Sequence, residues 1–171
     1  MPTREPVVFI PGYPGVDLFD LRQDRRVFPP PYEIGLRRSL LRIENKADVI
    51  AALKGPQDPT TFDGVIPLGP IDVQAKILGL EFGEEAKSLY DVLEKLGYDP
   101  LSRSEMIPVG WDWRLPVAHA DTVRRVAWAV DALFAETGRT VTILAHSTGG
   151  LVARAYLASA MATRPISSRV A

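Results

Sequence analysis

Short, mainly apolar runs alternate along this chain with stretches of helical periodicity, and that alternation leaves few folds open. "VVFI" (7–10) and "VTIL" (141–144) are too short for helices, the first apolar at every position and the second at all but Thr142. Such runs read as strands buried on both faces of a parallel sheet. A further strand is expected in "EMIPVG", Glu105 to Gly110. Amphipathic stretches lie between them. In "EEAKSLYDVLEKLG" the residues Leu89, Val92, Leu93 and Leu96 fall at helical spacing, and Gly97 marks the stop. From Asp121 as the expected N-cap, Val123, Val126, Ala127, Val130, Leu133 and Phe134 repeat as an apolar stripe until Gly138. Leu151, Val152 and Ala155 open a third helix that ends before Pro165, and "ISSRVA" (166–171) reads as the start of another strand. Strand, helix, strand, helix, strand, helix predicts an α/β fold with a parallel sheet and right-handed crossovers.

The stretch from the "PGYPG" loop to about Gly83 carries no such order. It holds "FPPPY", a basic amphipathic piece around "GLRRSLLRI", an expected helix in "KADVIAALKG" and the turn-rich "GPQDPTTFDG", with no internal repeat. A chain of 171 residues, 46% hydrophobic and 24% charged, is one globular domain able to bury a core. Its net charge of -1, without a long like-charge run, argues against nucleic acid as a partner. The absence of cysteine excludes disulfides, thiolate metal sites and cysteine nucleophiles. Neither a metal nor a cofactor is expected, since "STGG" lacks the lysine of a phosphate loop and "GYPG" is not a dinucleotide fingerprint. Four apolar residues before Pro11 are too few for a signal-peptide core, and no later run reaches membrane-spanning length. The chain as given is expected to be soluble, with its compartment left open.

The chemistry concentrates in "AHSTGG", Ala145 to Gly150, which departs from G-x-S-x-G only by Ala145 in place of the first glycine. A strand that turns abruptly into a helix lifts a serine hydroxyl above the sheet, and small residues on either side let strand and helix approach. Ser147 is therefore the candidate nucleophile. The following helix aims its positive end at the same place, so the Thr148 N–H is a candidate oxyanion donor. The second donor is expected from the loop after the first strand, where Tyr13 has a backbone N–H and Pro11 and Pro14 have none. The bland alternatives are a surface or capping serine and a merely tight Pro-Gly connection. His146 adjoins Ser147 and points elsewhere at the strand end, and His119 precedes a helix; neither is expected to be the base.

Taken together, "VVFIPGYPG", "VGWDWRLP" and "TVTILAHSTGGLVARAYL" resemble the lecithin:cholesterol acyltransferase-like branch of the α/β-hydrolases, over most of residues 6–160 and least between about 16 and 70. The resemblance implies an α/β-hydrolase-type parallel sheet with helices on both faces, incomplete at its C-terminal side. It implies one partial domain over residues 1–171, with a variable cap- or lid-like insertion at about 16–70. Ser147 would be the nucleophile, with the N–H groups of Tyr13 and Thr148 as oxyanion hole. The activity implied is acyl hydrolysis or O-acyl transfer on a lipid or other ester through an acyl-serine, with transient contact to a lipid surface. Trp113 would line an acyl pocket, or Asp112 and Arg114 would form a buried pair that fixes the loop.

In hydrolases of this fold an Asp or Glu and then a His follow the serine. Residues 148–171 contain none of the three. The chain is thus expected to be the N-terminal part of a longer enzyme, with an uncovered last strand that favours self-association. The other reading is a binding or interaction module that keeps the scaffold without the chemistry.

Overall fold

The computed structural model describes residues 4–28, 50, 53–71, 75–77, 80–82, 84–99, 102–164 and 166–168. Its centre is β1 (Val7–Ile10), buried at every position as the apolar run requires. Beside it lie β7 (Met106–Pro108) on one side and β8 (Val141–Ala145) on the other, and β9 (Ile166–Ser168) extends the sheet beyond β8. All three pairings are parallel, with Val7 opposite Met106 and Thr142, and Val141 opposite Ile166. The expected parallel α/β sheet is present, and "ISSRVA" does open a strand; its residues 169–171 lie outside the described residues.

Alternation along β1 sends side chains to two cores. Val7 and Phe9 pack with Met106 and with Leu93 of α1 (Glu84–Lys95). Val8 and Ile10 face the other way, onto Val126, Val130 and Leu133 of α2 (Ala120–Thr137) and Val152 and Tyr156 of α3 (Gly149–Leu157). Helices therefore cover both faces of the sheet. In α1 the buried stripe is narrower than its periodicity predicts: Leu93 is buried and Leu89 half-buried, while Val92 and Leu96 face solvent. Tyr90 takes their place, meeting Phe9 edge-to-face at 6.2 Å.

Two boundaries differ from expectation. The N-cap of α2 is His119, whose imidazole accepts the Asp121 N–H, and not Asp121, whose carboxylate is held by Arg125 at 2.7 Å and Arg124 at 3.6 Å. At the other end Gly138 adopts φ 64° and its N–H closes on Phe134, as a left-handed C-cap does. The strand expected over 105–110 stops at Pro108, although the Val109 N–H still reaches Phe9 O at 2.8 Å; at Gly110 the backbone of Leu68 and Gly69 packs where a side chain would stand.

Regular structure also occurs where the sequence shows none. β2 (Val16–Asp20) pairs antiparallel with β3 (Arg25–Phe28) and with β4 (Val65–Pro70), in a three-stranded sheet around Leu18, Val27, Phe28, Val65 and Ile71. The β2–β3 turn is closed by Asp20, whose carboxylate accepts the N–H groups of Arg22 and Gln23, and by Asp24 at φ 49°. A small hairpin joins β5 (Ala75–Ile77) to β6 (Leu80–Phe82). Of the helix expected in "KADVIAALKG", positions 50, 53 and 54 are helical and 46–49, 51 and 52 lie outside the described residues, as does "GLRRSLLRI".

Candidate active site

Parallel strands present their carboxyl ends along one edge, so the loops after β1, β7 and β8 meet there. Ser147 stands between β8 and α3 at φ 52°, one of two non-glycine residues among those described with a left-handed backbone. A side chain in that region costs about 1–2 kcal/mol relative to the right-handed one. The geometry is nonetheless tightly fixed. The His146 N–H donates to Ile10 O at 3.0 Å, and the N–H groups of Gly149 and Gly150 close on His146 O and Ser147 O at 2.9 Å. The two glycines flanking this contact have little freedom. A Cβ on Gly149 would collide with Ile10 O and come within 2.8 Å of Pro11 O, and one on Gly12 would stand 2.9 Å from the Ser147 Cβ. The small-x-Ser-x-Gly spacing is thus a packing requirement: α3 begins against the backbone of the loop after β1.

Ser147 is exposed, and so is Tyr13 at 60%. The Tyr13 N–H donates to Thr148 Oγ1 at 2.6 Å. Among the described residues no backbone carbonyl accepts the Thr148 N–H. The three residues singled out in the sequence therefore lie together, with the Tyr13 amide engaged by a threonine side chain. His119 is elsewhere, at the start of α2, where its Nε2 lies 2.9 Å from Pro59 O. His146 is exposed beside the turn, its Nδ1 3.2 Å from where a Gly12 Cβ would be.

The loop after β7 holds the loop after β1 in place. Trp111 is fully buried and donates its indole N–H to Pro11 O at 2.9 Å. Trp113 donates to Val16 O at 3.2 Å and stacks edge-on to Tyr13 and Phe28, at centroid distances of 5.1 and 5.2 Å. Both tryptophans thus grip the Pro11–Val16 segment, from its two ends. Sequence reasoning missed Trp111, although a buried indole needs an acceptor and the nearest loop offers carbonyls.

Asp112 and Arg114 form the buried pair that was one of the two expectations for this segment. The Arg114 guanidinium is fully buried and reaches Asp112 through Nε at 2.9 Å and Nη2 at 2.6 Å. It also reaches Asp63, at 2.8 Å through Nη1. Burial pulls the Arg114 pKa down, but the hydrogen bonds and charges of Asp112 and Asp63 outweigh it and the net shift is upward. The Arg114 guanidinium is thus held as a cation at neutral pH. Beside this pair lies a cleft of about 240 Å³ whose lining mixes apolar residues such as Phe62, Ile66 and Leu115 with Asp63, His119 and Arg125; neither Ser147 nor Tyr13 lines it. Among the described residues no helix is long and apolar enough to cross a membrane.

The family model for Lecithin:cholesterol acyltransferase matches residues 75–166, more than half of the chain. The matched span takes in the Asp-Trp-Arg segment and the Ser147 turn and stops short of the Pro11–Val16 loop. Among curated proteins none matches the chain significantly.

Proposed function

The chain belongs to the lecithin:cholesterol acyltransferase family, and from that premise we propose that it carries the nucleophile half of a serine-dependent acyl hydrolase or O-acyltransferase acting on lipid esters. The observation that carries this reading is the left-handed Ser147 turn at the head of α3, with the Tyr13 and Thr148 amides beside it. In the reaction the Ser147 Oγ adds to the ester carbonyl carbon while its proton passes to a general base. The carbonyl π pair moves onto oxygen, where hydrogen-bond donors of the serine turn stabilise it. Collapse expels the alcohol with a proton and leaves an acyl-serine, which water or a second alcohol then takes.

The acid and base of the triad are not among residues 148–171, so in this reading they come from another part of the natural protein. The parallel sheet with helices on both faces is read as the α/β-hydrolase sheet, and β2–β4 with the segment up to about residue 70 as a cap-like addition to it. Exposed Tyr13 and Leu151, at 60% and 52%, flank the serine turn in sequence or in space and suit contact with a lipid surface.

A fluorophosphonate probe applied to the full-length natural protein tests the assignment. Labelling at Ser147, abolished in Ser147→Ala, is the expected result. Labelling at another serine, or none in a folded protein that still binds lipid esters, overturns it and favours a binding module that kept the scaffold; the lack of Asp, Glu and His after Ser147 is what keeps that second reading in view.

A further inference from the structure

The threonine at the head of α3 does not cap its helix. A capping side chain reaches the second or third amide from an extended backbone, whereas Thr148 is in the right-handed helical region, at φ -59° and ψ -22°, and makes no capping bond. Its hydroxyl instead spans to the loop after β1, where Oγ1 accepts the Tyr13 N–H at 2.6 Å. This bond lies directly beside the serine, since the neighbouring Gly12 is packed so closely on Ser147 that a Cβ there would stand 2.9 Å from the serine's own.

A hydroxyl accepts and donates at once. With Tyr13 supplying the bond that Oγ1 accepts, the Thr148 O–H proton is left to donate to a third atom. The Tyr13 N–H, in turn, is not open to a carbonyl oxygen while Oγ1 occupies it. Resting on the reading of Ser147 as nucleophile, we propose that the Thr148 side-chain hydroxyl is itself an oxyanion donor and that the Tyr13 amide acts behind it, as a positioning group that orients and polarises that hydroxyl. When Ser147 Oγ bonds to the carbonyl carbon and yields its proton to an imidazole-type base, the electron pair of the C=O bond moves to oxygen. That oxygen accepts from two groups of one residue, the Thr148 N–H and the Thr148 O–H. A chain of hydrogen bonds strengthens as charge grows at its end, so the Tyr13 amide contributes most in the transition state.

Hydrolysis of p-nitrophenyl butyrate by the full-length protein tests this, with Thr148→Val removing the hydroxyl at constant shape and Thr148→Ser retaining it. Loss of one oxyanion donor lowers kcat on the order of 10²–10³-fold, so that fall is expected in Thr148→Val with KM within about threefold. Thr148→Ser should stay within about tenfold of the parent. Should Thr148→Val fail to fold, Thr148→Ala reads the same loss. If Thr148→Val or Thr148→Ala keeps kcat within about threefold, or raises it by freeing the Tyr13 amide, the hydroxyl is only a brace and the inference is wrong. Ser147→Ala run alongside separates the two levels. Activity lost in Ser147→Ala but kept in Thr148→Val sinks the threonine alone, and activity kept in Ser147→Ala removes the nucleophile reading and this inference with it.

Discussion

Gly149 and Gly150 are adjacent in sequence, both in the first turn of α3, and the structure assigns them opposite responses to the same methyl group. A Cβ on Gly149 would lie within 2.8 Å of Pro11 O and closer still to Ile10 O, both backbone atoms that cannot rotate away. To accept it, α3 must retreat from β1, lengthening the His146 N–H bond to Ile10 O that ties the turn to the sheet. Overpacking of this kind costs about 1–3 kcal/mol, and weakening one hydrogen bond up to about 1 kcal/mol more. Removing a glycine from the unfolded ensemble returns about 0.4–1 kcal/mol. Gly149→Ala is therefore expected to destabilise by about 1–3 kcal/mol. A Cβ on Gly150 meets nothing within 4 Å, so only the entropic term remains and Gly150→Ala should stabilise by about 0.4–1 kcal/mol. Urea unfolding of the full-length protein, followed by far-UV circular dichroism, reads both. With a slope of about 2 kcal/mol per molar urea, the Gly149→Ala midpoint falls by about 0.5–1.5 M and the Gly150→Ala midpoint rises slightly. Equal shifts of the two variants, or an unshifted Gly149→Ala, would refute the close approach of α3 to the loop after β1.

Two further outcomes follow from the charges around the Asp-Trp-Arg segment. Arg114→Met leaves the buried Asp112 and the partly buried Asp63 without their cation, and breaking a buried pair from one side costs about 3–5 kcal/mol; the double variant Asp112→Asn/Arg114→Met should recover part of it in the same urea assay, and equal loss in both would contradict the pairing. At the head of α2, burial raises the Asp121 pKa, but the Arg125 hydrogen bond and the charges of Arg125 and Arg124 outweigh it, so the net shift is downward. A depressed carboxyl stabilises above its unfolded pKa of about 3.9 and loses that contribution as pH falls through the lower folded value. Because the pair is well exposed the effect is at most about 1 kcal/mol; thermal melts at pH 7 and pH 3 should show Arg125→Gln losing less on acidification than the parent, and an identical acid limb would remove the pair from the account.

What was legible in the sequence is what local pattern encodes. β1 announces itself because a strand buried at every position needs apolar residues throughout, β8 because only Thr142 interrupts its apolar run, and the end of α2 because a glycine takes φ 64° without strain. The β2–β3 hairpin was hidden because its turn has no glycine and uses Asp24 in the left-handed region instead; the usable signal was Asp20 and Asp24 bracketing a short polar run between "VDLFD" and "RRVF". β4 was hidden for another reason, since its partner lies about fifty residues earlier and no local pattern records a pairing at that distance. The capping error at Asp121 came from a competing interaction, as the arginines at positions three and four further along claim the carboxylate. That Ser147, Thr148 and Tyr13 come together at one sheet edge was readable from the order of strands and loops, while the Thr148–Tyr13 bond and the Trp111 contact join residues about a hundred or more apart and needed the fold.

The backbone of Ser147 bears on the choice between an enzyme and a retained scaffold. A strand-to-helix turn needs a left-handed residue, and glycine would supply it without the cost of about 1–2 kcal/mol that a side chain incurs there. Glycines are used freely in the same turn, Gly149 because nothing larger fits and Gly150 where a larger residue would fit. The position whose backbone most favours glycine carries a serine instead. The surroundings are built to hold it: Gly12 presses on the Ser147 side, Gly149 seats α3 on the carbonyls of residues 10 and 11, and the Trp111 indole fixes Pro11 O from behind. Strain that is held by several independent contacts marks sites where geometry serves chemistry. A strained serine exposed at the sheet edge is the feature that supports the proposed acyl-serine chemistry over a module that binds through its surface.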